Sequence, residues 1–192
     1  MELTELKLKI NNFLLFLRRP RWFKLYVSDK FVTPDYEHQQ YFFSNESVKY
    51  LVDHLDHFDN PCCVGTPSLV KEWFERDRKV RLLDIDKRFK FLPGYKNYDI
   101  TKPDRFDEKF DVIIMDPTFG WGEGVLLKTV NILSHNDHSQ KIFLVHMADH
   151  ELSILEIFKD YQLKPTEYYP KYANLRGEGK KFVKCFANFE FP

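Results

Sequence analysis

Four apolar residues, Val112-Ile113-Ile114-Met115, run without interruption into Asp116-Pro117. The run is long enough for a buried strand and too short for a helix. Proline cannot donate to a ladder, so the strand ends there and the chain turns. A carboxylate, a rigid carbonyl and an aromatic ring (Phe119) then sit together at a strand's C-terminal end, followed by Gly120, Gly122 and Gly124. In open α/β sheets that edge is where ligands bind. On these residues alone, an ordinary Asp-Pro turn remains an equal reading.

The flanking sequence supplies partners for such a strand. Pro61–Val64 reads as a short strand running into a tight turn at Gly65-Thr66-Pro67, where Pro67 suits the first turn of a helix carrying Leu69, Val70, Trp73 and Phe74. Val80–Ile85 reads as a second buried strand, with Asp84 and Asp86 at its end. Gly65 and Asp84 stand 19 residues apart, the spacing at which an acid after a second strand reaches the ribose of a nucleotide lying over the first turn. The full glycine fingerprint is absent, and Asp86 could equally cap the segment Lys87–Phe91. Tyr95–Asp99 reads as a third short strand ending in an acid. Lys141–His146 is a further buried strand, and Pro165–Tyr172 and Lys181–Phe189 read as two late strands. Helices are expected at Ser44–Leu55, with Ser44 as N-cap, at 125–133 and at 152–158. Alternating strands and helices followed by a terminal hairpin predict an α/β chain: a mostly parallel, twisted, Rossmann-like sheet with an antiparallel C-terminal edge and helices on both faces.

The 192 residues suffice for one domain with a full core, plus an extension over 1–37 ahead of a domain over 38–192. Lys+Arg and Asp+Glu are equal at 29 each, which argues against a protein held to nucleic acid by bulk charge but leaves local basic patches. Three cysteines, two of them adjacent, have no zinc spacing and imply no disulfide framework, so no metal is expected and a reducing, intracellular setting (cytoplasm or nucleus, including the nucleolus) fits. No apolar run is long enough to span a membrane, and the N-terminus lacks a signal-peptide layout.

Two basic clusters stand out. Residues 1–19 read as an amphipathic helix stopped by Pro20, and residues 1–30 carry seven Lys and Arg against three acids. Among them, Arg18, Arg19, Arg21 and Lys24 interleave with Trp22 and Phe23, a mixture in which cations neutralise phosphate and rings stack on bases. Residues 164–184 carry six bases against two acids, with Lys171 followed by a Gly-rich loop holding Arg176, Lys180 and Lys181. Solvated helix ends and a plain hairpin loop are the competing readings.

Four segments in order, Gln40-Tyr41-Phe42-Phe43 before a helix, Val64-Gly65-Thr66-Pro67, Leu82-Leu83-Asp84-Ile85-Asp86 and Asp116-Pro117-Thr118-Phe119, resemble the adenine-N6-methyltransferase-like class of S-adenosylmethionine-dependent methyltransferases. Within that class the likeness is to the catalytic core of the CCHC-zinc-finger enzyme of large-subunit ribosomal RNA, with the lysine methyltransferase of elongation factor one-alpha as a relative. It covers about residues 38–190. The zinc fingers of the ribosomal enzyme have no counterpart in three scattered cysteines. The resemblance implies S-adenosylmethionine as cofactor. It places the 64–67 turn against the methionine part, Asp84 with Ile85 and Asp86 at the ribose, Tyr98 and Asp99 at the adenine, and Gln40 to Phe43 along the cofactor side. Asp116 and the Pro117 carbonyl would accept hydrogen bonds from the target amine, and Phe119 would stack on a splayed base. Thr118 stands where the family's motif has a second proline. The resemblance further implies RNA, ribosomal in type, as substrate and a protein partner in place of the zinc fingers. A protein lysine methyltransferase or an inactive RNA-binding or partner-stabilising subunit are the alternatives.

Overall fold

The computed structural model describes residues 25–27, 30–37, 39–175 and 182–192. The expected helix over 1–19, and Arg18, Arg19, Arg21, Trp22, Lys24, Arg176, Lys180 and Lys181, lie outside the described residues.

The described residues form nine strands: β1 Leu25–Val27, β2 Lys30–Val32, β3 Pro61–Val64, β4 Arg81–Asp84, β5 Tyr95–Asn97, β6 Val112–Met115, β7 Lys141–Met147, β8 Lys164–Pro165 and β9 Val183–Ala187. The first two form a separate antiparallel ladder. The other seven form one sheet in the order β5-β4-β3-β6-β7-β9-β8. Strands β3 to β7 run parallel, while β9 is antiparallel to both β7 and β8. The chain builds outward from β3 to β5, then returns to the other side of β3 with β6. This reversal of strand order is where an open α/β sheet leaves a crevice at its carboxyl edge.

Among the described residues, four α-helices cover the sheet: α1 Asn45–Leu55, α2 Pro67–Glu75, α3 Glu123–Leu133 and α4 Glu151–Ile157. Along β6, Val112 and Ile114 pack in the cluster that holds Leu51 of α1 and Trp73 of α2. Ile113 and Met115 pack in the cluster that holds Val130 of α3 and Ile154 of α4. Alternate side chains of a strand point to opposite faces, so a strand covered on both sides reads as an unbroken apolar run. All four β6 side chains are fully buried, and each contributes roughly 1.5–3 kcal/mol relative to exposure.

The start of α1 follows from its cap. The Ser44 side chain accepts the Ser47 N–H at 3.2 Å, which satisfies one of the amides that the first turn leaves without a partner. Pro67 opens α2, where its missing N–H costs nothing. Gly94 has φ +76°, and a Cβ there would lie 2.1 Å from the Val80 carbonyl, so the turn into β5 admits glycine alone.

The late strands differ from expectation. The segment expected to be a strand over 165–172 is regular only at Lys164–Pro165, beyond which Thr166 N still donates to Cys185 O at 2.9 Å and Cys185 N to Tyr168 O at 3.4 Å. Pro165 and Pro170 lack N–H groups, which confines this segment to the sheet edge. The chain then leaves the sheet and makes an isolated bridge between Tyr172 and Phe43. The inner strand of the terminal hairpin is β9, lodged between β7 and β8.

Candidate active site

Three backbone hydrogen bonds join the carboxyl ends of the central strands. Gly65 N donates to Leu83 O at 3.0 Å, Asp116 N to Val64 O at 3.1 Å, and Tyr98 N to Asp84 O at 3.1 Å. They bring the segments 64–67, 83–87, 98–100 and 116–119 to one edge, where a cavity of about 480 Å³ opens. That size lies within the roughly 300–1,000 Å³ of small-molecule sites.

Gly65 is central to the arrangement. Its φ is +68°, and a Cβ there would stand 3.0 Å from the Asp116 carbonyl. The bare turn therefore lets the β3 and β6 ends meet backbone to backbone. Val64, Gly65 and Pro67 line the cavity, as do Asp84, Ile85, Asp86, Tyr98 and Asp99. Thr66 is buried and lies outside the lining.

Asp84 accepts the Asp86 N–H on Oδ1 at 2.8 Å, and among the described residues its Oδ2 takes no hydrogen bond. Burial raises the carboxyl to a pKa of about 7. Asp99 accepts from Thr101 N at 2.9 Å and Thr101 Oγ1 at 2.7 Å, both on Oδ1, and these two donors hold its pKa below the ordinary value. Asp86 is differently employed. It caps the short 3₁₀ turn Lys87–Phe89 and holds the Arg88 guanidinium through both oxygens, while Oδ2 also accepts from Gln40 Nε2 at 3.0 Å. Asp86 is thus a structural cap that also borders the cavity. Ile85 is 65% exposed beside it, an apolar edge left open at the mouth.

The 40–43 segment divides. Gln40, Tyr41 and Phe42 line the cavity; Phe43 does not, being buried against the Tyr172 ring with centroids 5.0 Å apart. Ser44 N donates to Lys171 O and Ala173 N to Phe42 O, each at 2.8 Å, and the Asn174 side chain spans Phe42 N and Gln40 O. The two segments thereby form a ribbon along the rim. The Lys171 ammonium is paired with Glu46 at 2.9 Å, which offsets its charge within the expected basic patch.

At the end of β6, Asp116, Pro117, Thr118 and Phe119 all line the cavity. Asp116 Oδ1 accepts the Tyr172 hydroxyl at 2.8 Å. Oδ2 and the Pro117 carbonyl take no hydrogen bond among the described residues, so two acceptors stand free beside the Phe119 ring. Burial holds the Asp116 carboxyl well above its ordinary pKa, against the lowering effect of the Tyr172 hydrogen bond. Tyr172 also packs edge-on to Phe119, with centroids 6.4 Å apart.

Three contributors carry no motif in the sequence. Tyr172 reaches Asp116 across 56 positions, and no local spacing announces it. Trp121, two residues after Phe119, lines the cavity and is 43% exposed. His146, at the end of β7, is fully buried edge-on to Phe119 with centroids 6.0 Å apart, and burial pushes its pKa down to about 4. The three cysteines are buried and free, and no cluster of metal-binding side chains occurs among the described residues. No helix among them is long and apolar enough to cross a membrane.

Solved structures share this architecture. An S-adenosylmethionine-dependent methyltransferase from Clostridium acetobutylicum is 11% identical with a TM-score of 0.53, covering 75% of this chain and 91% of its own. A candidate RNA methyltransferase from Pyrococcus horikoshii is 16% identical with a TM-score of 0.51, covering 80% and 89%. Magnesium protoporphyrin IX methyltransferase from Synechocystis, solved with bound S-adenosylmethionine, is 11% identical with a TM-score of 0.51, covering 74% and 76%. These likenesses establish the Rossmann-like class I methyltransferase fold. The chain matches no curated protein. Residues 34–191 match the family described as Probable N6-adenine methyltransferase, a span that contains every lining residue of the cavity. The chain belongs to the N6-adenine methyltransferase family.

Proposed function

We propose that this protein transfers a methyl group from S-adenosylmethionine to the N6 amine of an adenosine in RNA, at Asp116-Pro117-Thr118-Phe119. The observation that carries the reading is the pair of free acceptors, Asp116 Oδ2 and the Pro117 carbonyl, beside the Phe119 ring in the cavity that also holds Gly65, Asp84 and Asp99.

The residues fit the cofactor. The side-chain-free Gly65 turn leaves room for close backbone approach, Asp84 offers an unengaged carboxylate oxygen to ribose hydroxyls, and Asp99 keeps Oδ2 for an adenine amine. The sulfonium supplies an activated methyl group whose carbon–sulfur bond breaks with its electron pair on sulfur. The chain's own residues supply position. An adenine amine is a weak nucleophile because its lone pair is delocalised into the ring. Accepting both N–H groups at Asp116 Oδ2 and the Pro117 carbonyl favours a geometry that frees the lone pair, and holding the reactants in register lowers the barrier. As the new nitrogen–carbon bond forms, the surplus amine proton passes to the Asp116 carboxylate that accepts its N–H. Stacking on Phe119 contributes on the order of 1–3 kcal/mol and offsets the few kcal/mol of unstacking a base, most readily for one already in a loop.

A second reading, methylation of a protein lysine, is favoured by the charge of the lining: Asp35, Asp84, Asp86, Asp99 and Asp116 against Lys87. Acidic walls suit a cationic side chain, and Phe119 could hold it by cation–π attraction.

The test is transfer of tritiated methyl from S-adenosylmethionine to matched pools of ribosomal RNA and ribosome-free protein, with Asp116→Ala alongside. Label recovered as N6-methyladenosine and lost in the variant supports the RNA reading. Label in protein replaces it with the lysine reading. Failure to bind the cofactor at all, measured by calorimetry, makes the chain an inactive relative, with Thr118 as the mark of that loss.

A further inference from the structure

Asp116 is the residue on which the proposed chemistry turns, and its motif departs from the family pattern at the next-but-one position. A proline at 118 would hold Pro117 extended and so fix its carbonyl; Thr118 does not. The other acceptor of the pair, the Asp116 carboxylate, is held by one distant side chain.

We propose that Tyr172 is a positioning residue for the methyl-transfer step: its hydroxyl, 2.8 Å from Asp116 Oδ1, locks the carboxylate so that Oδ2 faces the target amine. This rests on the proposed role of Asp116. Four contacts hold the Tyr172 ring in place. It stacks on Phe43 at 5.0 Å between centroids, and it meets Tyr41 edge-on at 6.3 Å and Phe119 edge-on at 6.4 Å. Its backbone bridges to Phe43 on the 40–43 segment. A ring fixed on that many sides carries its hydroxyl with little freedom, and a carboxylate oxygen held by such a donor cannot rotate into the amine's place. The supporting groups of a site hold it within a fraction of an ångström of its working geometry. Because Tyr172 touches both the 40–43 wall and the Phe119 ring, it also sets the spacing between the cofactor side and the target side of one cavity.

The titratable groups facing Asp116 are Tyr172 itself and the Cys185 thiol of β9; Asp84, Asp86 and Asp99 line the same cavity from the neighbouring strand ends. Burial keeps both the phenol and the thiol protonated at neutral pH, so Tyr172 acts as a donor throughout the working range. A donated hydrogen bond favours the ionised carboxylate. Loss of the hydroxyl therefore raises the pH at which Asp116 ionises.

The experiment is Tyr172→Phe, which keeps the ring and its packing and removes only the hydroxyl. The expected result is a fall in kcat of about 10- to 100-fold, with the KM for RNA, the cofactor Kd and the melting temperature close to wild type, and with the acid limb of the kcat–pH profile displaced to higher pH. In the background of Asp116→Asn, adding Tyr172→Phe changes nothing further, because the two residues act as one unit. A variant with wild-type kcat and acid limb overturns the proposal; so does one whose loss lies in cofactor affinity or melting temperature, which would make Tyr172 a packing residue. If the wild type methylates neither RNA nor protein, the functional reading falls by itself. Carboxyl carbon resonances of ¹³C-labelled aspartate then decide this proposal: Asp116 titrating at higher pH in Tyr172→Phe sustains the contact, and an unchanged titration ends it.

Discussion

Asp84 and Asp116 are both carboxylates at the carboxyl ends of parallel strands, β4 and β6, that flank β3 on its two sides, and burial raises both above the ordinary carboxylate range. Their surroundings differ. Asp84 is held from within its own turn by the Asp86 N–H, two residues on, and the Arg88 charge nearby eases its ionisation. It titrates near neutrality, at a pKa of about 7. Asp116 is held by a phenol 56 positions away, and burial rather than a neighbouring charge dominates its ionisation. Its pKa stands well above the ordinary value, and its one donor does not offset the burial. An acid of the first kind accepts a neutral hydroxyl-bearing ligand with little rearrangement. One of the second kind gains its ionised form when donors arrive, so under the proposed role substrate binding at Asp116 would be coupled to its ionisation.

The most forceful way to break this contrast is to remove each acid in turn. Asp116→Ala lowers methyl transfer by at least about 100-fold, the scale on which one preorganised hydrogen-bonding group counts, and leaves cofactor affinity within about threefold. Asp84→Ala weakens cofactor affinity by about 10- to 100-fold, as expected for hydrogen bonds to a charged group at roughly 1.5–3 kcal/mol. At saturating cofactor it retains most of kcat. Calorimetry and steady-state rates check both. Asp116→Ala losing cofactor affinity as steeply as Asp84→Ala would collapse the two ends into one site.

Gly65→Ala sharpens the comparison by striking the seam between the two ends. The left-handed conformation at φ +68° costs a side-chain-bearing residue roughly 1–2 kcal/mol. The added Cβ also presses on the Asp116 carbonyl at 3.0 Å, tighter than ordinary contact. The melting temperature falls by about 2–8 °C for a chain of this size, and cofactor affinity and kcat decline together. A loss in only one of them would mean that the turn serves one end alone.

How far the sequence discloses each end follows from the same difference. The Asp84 end depends on short-range order: a strand, a bare turn, a helix started by proline, a second strand and an acid 19 residues after the glycine. Gly65 and Asp84 therefore stand out from spacing alone, and the parallel core follows from the apolar runs at β3, β4, β6 and β7. At Asp86 local pattern is ambiguous, because an acid after a strand serves equally as cap or ligand. The cap itself is local, with the Arg88 N–H and guanidinium both reaching Asp86 from two residues on, while the Gln40 contact comes from a segment that spacing does not relate. The Asp116 end is legible only in its own four residues. Tyr172 and His146 arrive through the hairpin and β7, and nothing in their neighbourhoods marks them: Tyr172 lies in a stretch that reads as strand, and His146 ends an apolar run. Phe43 reads as part of the wall and turns out to be the platform under Tyr172, since period alone does not say which ring of an aromatic run faces a cavity.

The gentlest test uses pH alone. A ligand that donates to ionised Asp84 must first meet it without its proton, so cofactor affinity rises with pH up to a pKa of about 7 and levels off above it. From pH 8 to pH 7 the loss is about twofold, and below that affinity falls by roughly tenfold per pH unit, the slope of a single proton. Apo stability moves the other way. Folded Asp84 keeps its proton between about pH 4 and 7 while the unfolded group releases it, so the folded chain loses this advantage as pH rises through that window. Asp84→Asn flattens the affinity slope and removes its own share of the stability slope, and Asp116→Asn leaves the affinity slope in place while removing the share that its own raised carboxyl supplies. A cofactor-affinity slope that survives Asp84→Asn and vanishes with Asp116→Asn would exchange the two acids' roles: the carboxylate among the rings would then be the one that meets the cofactor.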